Sequence, residues 1–177
     1  RNTTVRRLAM RDGRVTGGEI NTAAGPVTLT AQRGVVLATG GFSQDNEMRQ
    51  RYLPGEAGLV SATAEGATGD GLRLGQEAGG EMPADNANDA FWVPASTFTR
   101  PDGTPGVYPH TVTDRGKPGM FAVNAVGRRF TNESNSYHEF VHAMFRAANE
   151  SPAIPAWLIC DKRSLWQYGL GAVKPMC

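Results

Sequence analysis

Residues 34–43 read GVVLATGGFS, and the path of this decapeptide decides how the rest of the chain is read. Val35, Val36 and Leu37 form an apolar run of the kind buried on both faces in a parallel strand covered by helices. Gly40 and Gly41 follow where a backbone turns tightly or approaches a ligand closely, and Ser43 begins a polar helix start. A strand running into a paired-glycine turn is how a nucleotide-binding sheet meets a phosphate or a sugar. Taken alone, the same residues also describe the end of any α/β strand.

Upstream, residues 5–10, 15–21 and 27–32 are short segments with many β-branched residues, separated by Asp12-Gly13 and Gly25-Pro26. They predict a three-stranded meander, after which 35–38 returns to the main sheet. Downstream, 44–53 predicts a helix ended by Pro54-Gly55. From about Gly55 the character changes. Residues 70–78, DGLRLGQEA, predict a short helix with Leu72 and Leu74 buried and Gly79-Gly80 as its stop. Residues 82–118 show neither helical nor strand period and hold six prolines, so they are expected to form an irregular lid or binding surface.

The last third is more regular. Residues 120–123 predict a strand entering a turn at 124–127. Tyr137, Phe140, Val141, Met144, Phe145 and Ala148 repeat with the spacing of one helix face. Ser136 and Glu139 match a capping box, which puts Tyr137 at the first helical position. Residues 156–160 predict a buried strand and 161–168 a short helix.

The chain of 177 residues is long enough for one sizeable core or two small lobes. Its net charge of +1 leaves no basic footprint for nucleic acid. No apolar run approaches the length of a membrane span, and the first residues lack the core of a signal peptide. A soluble protein in the cytoplasm is therefore expected. Two cysteines are too few for a disulfide framework. Cys160, within AWLIC, is expected to be a buried small residue, and Cys177 is terminal.

In order along the chain, ATGGF at 38–42, GATGDG at 66–71 and GMFAVNAVGRRFTNESNSY at 119–137 resemble the flavoprotein subunits of the fumarate reductase and succinate dehydrogenase superfamily. Within it the pattern is most similar to the 3-ketosteroid dehydrogenase branch, from about Val15 to about Tyr168. The resemblance implies an α+β fold. Residues 1–54 would be the end of an FAD-binding Rossmann-like domain, meander plus strand, and 55–177 an incomplete α+β substrate-capping domain. The GxGxxG turn that such flavoproteins carry to receive the pyrophosphate is absent. The chain thus reads as an internal piece of a longer bacterial-type parent, inactive by itself.

FAD is the implied cofactor. The resemblance sets Ala38, Thr39, Gly40 and Gly41 against its adenosine and pyrophosphate side and Thr68, Gly69, Asp70 and Gly71 near it. Glycines admit close backbone approach, and Thr or Asp can hydrogen-bond a ribityl or ribose hydroxyl. A plainer reading leaves Asp70 as a favourable charge at a helix N-terminus.

In the fumarate reductases the arginine that delivers a proton lies seven residues after the phenylalanine of GxRFxNE. Counted from Phe130, that place here is Tyr137. In the ketosteroid dehydrogenases a tyrosine serving as base occupies it. The first turn of a helix carries positive potential that favours an oxygen anion there. The alternative makes Tyr137 the first residue of the buried helix face. The fumarate reductases also place a histidine before the proline of the segment matching Phe91-Trp92-Val93-Pro94, where this chain has Val93. Phe91 and Trp92, with Phe98 and Tyr108 nearby, suit a bulky apolar ligand better than a dianion. Arg115 is a further substrate-binding candidate, although its neighbours depart from the fumarate reductase pattern. Arg128, Arg129 and Glu133 are expected to fix the turn and the helix entry.

The implied activity is removal of two hydrogens from adjacent carbons beside a ketone, hydride to FAD and proton to Tyr137. The expected partners are an apolar small-molecule ketone and an external electron acceptor of unspecified identity. Alternatives are an enoate reductase of the fumarate reductase type and a non-catalytic cap or binding module. A zinc hydrolase must also be weighed, because His138-Glu139-Phe140-Val141-His142 is a literal HExxH. The capping box already uses Glu139, Glu150 lies close in sequence, and Asp161 is the one better-spaced third carboxylate. No metal site is therefore expected.

Overall fold

The computed structural model describes residues 3–53, 60–83 and 90–176. The Pro54-Gly55 helix stop, the boundary expected at 54/55 and Cys177 lie outside the described residues. The chain forms two compact units, Arg1–Glu56 with Thr63–Asp89 and Ala57–Ala62 with Ala90–Cys177. Helices and small antiparallel sheets are mixed through both.

In the first unit β1 (Thr4–Arg11), β2 (Arg14–Thr22) and β3 (Gly25–Thr30) form the expected meander in the order β1-β2-β3. Asp12 and Gly13 both take positive φ, 51° and 73°, and close the first hairpin between Arg11 and Arg14. This is the two-residue turn whose twist matches that of paired strands. The second turn falls at Ala23-Ala24, two residues earlier than expected, because Gly25 and Pro26 already pair with Thr22 and Asn21. Helix α1 (Asn46–Tyr52) is capped by Asp45, which accepts the Met48 N–H at 2.7 Å. Helix α2 (Asp70–Glu77) closes as expected at Gly79-Gly80. Gly80 N–H donates to the Gly75 carbonyl and Gly79 N–H to that of Gln76, the Schellman pair. Among the described residues of this unit, Phe42, Met48, Ala67 and Leu74 are the buried apolar side chains.

Residues 35–38 do not form the buried strand expected of them. Among the described residues no strand pairs with them, and Val36 is 90% exposed. A β-branched run becomes a strand only when a neighbour completes its ladder, whatever its propensity.

In the second unit the segment expected to be irregular contains a hairpin, β4 (Ala95–Thr99) paired with β5 (Pro105–Pro109). Two of the prolines that disguised it begin and end β5. In a two-stranded ribbon each strand has a free edge, so a proline without an N–H costs little. A short helix α3 (Val112–Arg115) leads to β6 (Met120–Val123), which pairs with β7 (Trp157–Cys160). β7 is not the fully buried strand expected: Trp157 and Ile159 point outward, 47% and 41% exposed. Asn124 holds the turn after β6, its Oδ1 accepting the N–H groups of Val126 and Arg128 and its Nδ2 donating to Ser151.

Helix α4 (Tyr137–Ala148) begins where expected. Ser136 Oγ accepts the Glu139 N–H at 3.2 Å, and the Glu139 carboxylate reaches back to that hydroxyl. The buried face centres on Phe140, Val141 and Ala143 rather than on the full expected stripe. Tyr137 is 39% exposed, which removes it from the core. Asp161 caps α5 (Lys162–Tyr168) by accepting the Ser164 N–H at 2.6 Å. Among the described residues no helix is long and apolar enough to cross a membrane.

Candidate functional site

In the first unit the structure brings together the two glycine motifs. Gly69 N–H donates to the Gly41 carbonyl at 3.0 Å, and Gln44 N–H to that of Ala67 at 2.9 Å. Gly69 has φ 81°, and a Cβ there would lie 2.3 Å from the Met48 sulfur, so both conformation and space demand glycine. Ala38, Thr39, Gly40 and Gly41 are exposed. Thr68 Oγ1 donates to Asp70 Oδ1 at 3.1 Å, and Arg73 donates to the Thr68 carbonyl and pairs with Asp45. The result is an accessible edge of backbone, the Thr39 hydroxyl and the Thr68–Asp70 pair, a set able to receive a cofactor's hydroxyls and phosphate oxygens.

In the second unit the substrate candidates lie along α4. The Phe91 ring lies 5.3 Å from that of His138, and the Trp92 ring meets Phe145 edge-on at 5.3 Å. Phe91 is 85% exposed, an apolar surface beside the helix that begins with Tyr137. Arg115 is fully buried. Its guanidinium donates to the carbonyls of Glu133 and Asn135 and lies 4.7 Å over the Phe140 ring.

Glu133 ties this region to β6. Its Oε1 accepts the Ala122 N–H at 2.8 Å and Arg129 Nε at 3.1 Å, and its Oε2 accepts Arg129 at 2.6 Å. Burial by itself raises such a carboxyl, but the Arg129 and Ala122 hydrogen bonds outweigh it and hold Glu133 below its ordinary range. Of the expectation that Arg128, Arg129 and Glu133 fix the turn and the helix entry, the structure shows the turn: Arg128 N–H donates to Asn124, and Arg129 and Glu133 are tied to each other and to β6.

The HExxH histidines are engaged with each other. Trp92 N–H donates to His138 Nδ1 at 3.2 Å, so a neutral His138 carries its proton on Nε2. That proton faces His142 Nε2 at 3.1 Å and occupies its lone pair. A metal would have to displace both hydrogen bonds. Elemental analysis of the purified protein is expected to give well under one zinc per chain, unchanged in His142→Ala. One tightly bound zinc, lost in that variant, would overturn this account of the helix.

Sequence reasoning missed Ser96, His110 and Asp114. Ser96 Oγ lies 2.6 Å from His110 Nε2, and His110 Nδ1 lies 2.6 Å from Asp114 Oδ2. The i,i+4 spacing of His110 and Asp114 was the one local signal; Ser96 joins them through the hairpin.

The family described as FAD binding domain matches residues 1–172. This chain belongs to that FAD-binding family. It is 34% identical over 165 residues to the 4-oxocyclohex-2-ene-1-carboxylate 5-dehydrogenase of Sinomonas cyclohexanicum, covering 92% of this chain and 27% of that protein. It is 33% identical over 127 residues to a fumarate reductase (cytochrome) of Shewanella frigidimarina, covering 72% and 20%. Among solved structures, the 3-ketosteroid delta1-dehydrogenase of Sterolibacterium denitrificans, in complex with 1,4-androstadiene-3,17-dione, superposes with a TM-score of 0.79 at 34% identity. That match covers 98% of this FAD-binding chain and 31% of the solved one. The cofactor is FAD.

Proposed function

We propose that the protein carrying this chain is an FAD-dependent dehydrogenase that introduces a carbon–carbon double bond beside a ring ketone. Bound FAD supplies the hydride acceptor. Ala38 to Gly41 and Thr68 to Gly71 would hold it through backbone groups and hydroxyl contacts, with Asp70 accepting from a sugar or ribityl hydroxyl. Phe91 and Trp92 pack against an apolar ring and exclude water. The Tyr137 oxygen, as its phenolate, accepts the proton from the carbon next to the ketone and becomes the phenol as the hydride leaves for FAD. A capping lobe over the substrate and a cytoplasmic site of action belong to the same reading.

The observation that carries it is Tyr137 itself: exposed and first residue of a capped twelve-residue helix, whose next residue, His138, meets the exposed Phe91 ring. Dicarboxylate reduction finds less support, because the Arg115 donors are spent on backbone carbonyls and a dianion needs free cations. The test is anaerobic titration of the FAD-loaded full-length protein. A 3-ketosteroid or a 4-oxocyclohexane carboxylate is expected to bleach the oxidised flavin, and succinate to leave it unchanged. Bleaching by succinate alone would overturn the proposal.

A further inference from the structure

We propose that Arg115 is a positioning residue for Tyr137, held in place by a hydrogen-bonded line running from Ser96 through His110 and Asp114. This rests on Tyr137 acting as the base, as proposed above. The line is continuous. Ser96 on β4 meets His110, His110 meets Asp114, and Asp114 Oδ1 accepts the Arg115 N–H at 2.8 Å. His110 is 4% exposed, and its N–H donates to the Pro94 carbonyl at 2.7 Å, locking the end of β5 to the start of β4. Arg115 Nε also faces the His110 carbonyl at 3.4 Å.

From there the guanidinium spans forward to the carbonyls of Glu133 and Asn135. Residues 133–135 lead directly to the Ser136 cap and to Tyr137. Two carbonyls two residues apart, bridged by one planar fork, set the direction in which the chain enters α4. The Phe140 ring beneath the guanidinium closes its other face and ties the same fork to the second turn of the helix. Arg115 thus touches the backbone just before Tyr137 and the Phe140 side chain one turn after it. Its full burial leaves no surface for substrate, so an effect on turnover must pass through the helix start. A lysine, with a point charge and no fork, cannot bridge both carbonyls.

A double-mutant cycle on the FAD-loaded full-length protein tests this, with single-turnover flavin reduction by the ring ketone as readout. Arg115→Gln is expected to lower the rate about tenfold, a modest misplacement of the base. FAD content and half-saturating ketone concentration should not change, and Arg115→Lys should recover only part of the loss. In a Tyr137→Phe background the Arg115→Gln change should cost no more than about twofold further, because the group it positions is gone. A full tenfold loss in that background would overturn the positioning role while leaving Tyr137 as base. A change confined to half-saturation would make Arg115 a substrate contact and overturn it equally. A Tyr137→Phe protein as fast as the parent would overturn the base assignment and, with it, this proposal. If Arg115→Gln yields no folded holoenzyme, Asp114→Asn enters the same cycle. It should show the same non-additivity at smaller amplitude, and additivity there would refute the line.

Discussion

Replacing Tyr137 by Phe in the full-length enzyme is expected to slow flavin reduction by the ketone by roughly 100-fold or more, the usual scale for loss of a general base. The substitution keeps the ring and removes one oxygen. That oxygen makes no hydrogen bond among the described residues, and the residue is 39% exposed, so stability and FAD content should hold. Ser136 still caps the helix through its own hydroxyl and the Glu139 N–H. Stopped-flow traces give the answer directly. A rate within a few-fold of the parent would mean that the proton goes to another group and that Tyr137 serves only as the first residue of α4.

The second large effect is on folding. Glu133→Ala should cost about 2–3 kcal/mol, because it strips the partner from the buried Ala122 N–H and leaves a void at a residue that is 5% exposed. Arg129, more than half exposed, can return to water and adds little. Glu133→Gln keeps an acceptor for Ala122 and should cost about 1 kcal/mol. The pH dependence has a definite sign. The folded carboxyl lies below its ordinary value of 4.5, so its contribution is fully present above that value and fades as pH falls through the lower folded value. Urea unfolding of the parent and Glu133→Gln proteins should therefore show a stability gap near neutrality that narrows in acid. A gap that stays constant down to the acid limit would mean the Arg129–Glu133–Ala122 contacts do not stabilise the charged form.

The parts legible in sequence were those fixed by neighbours along the chain. Asp12-Gly13 specified a hairpin because its backbone preference is local. Ser136 and Glu139 specified the start of α4 through groups three residues apart, and Tyr137 followed from the count. Gly69 and Gly41 were recognisable as a motif pair, although only folding put them 3.0 Å apart. The misreadings share a cause. Val35 to Ala38 had the side chains of a buried strand, but pairing and burial depend on what lies beside a segment, and no described strand lies there. The β4–β5 hairpin was hidden because prolines suppress strand signals, while a ribbon with two free edges tolerates them.

Sequence alone thus determined the family, the cofactor and the place of Tyr137, since those reside in short ordered motifs and in helix-capping chemistry. Only the tertiary structure decided which partners the arginines and histidines meet. A guanidinium can clamp a substrate or bridge two carbonyls, and an HExxH histidine can ligate zinc or satisfy its neighbour. Which one occurs depends on the partners that long-range packing brings within hydrogen-bond distance, Glu133 and Asn135 for Arg115 and Trp92 for His138.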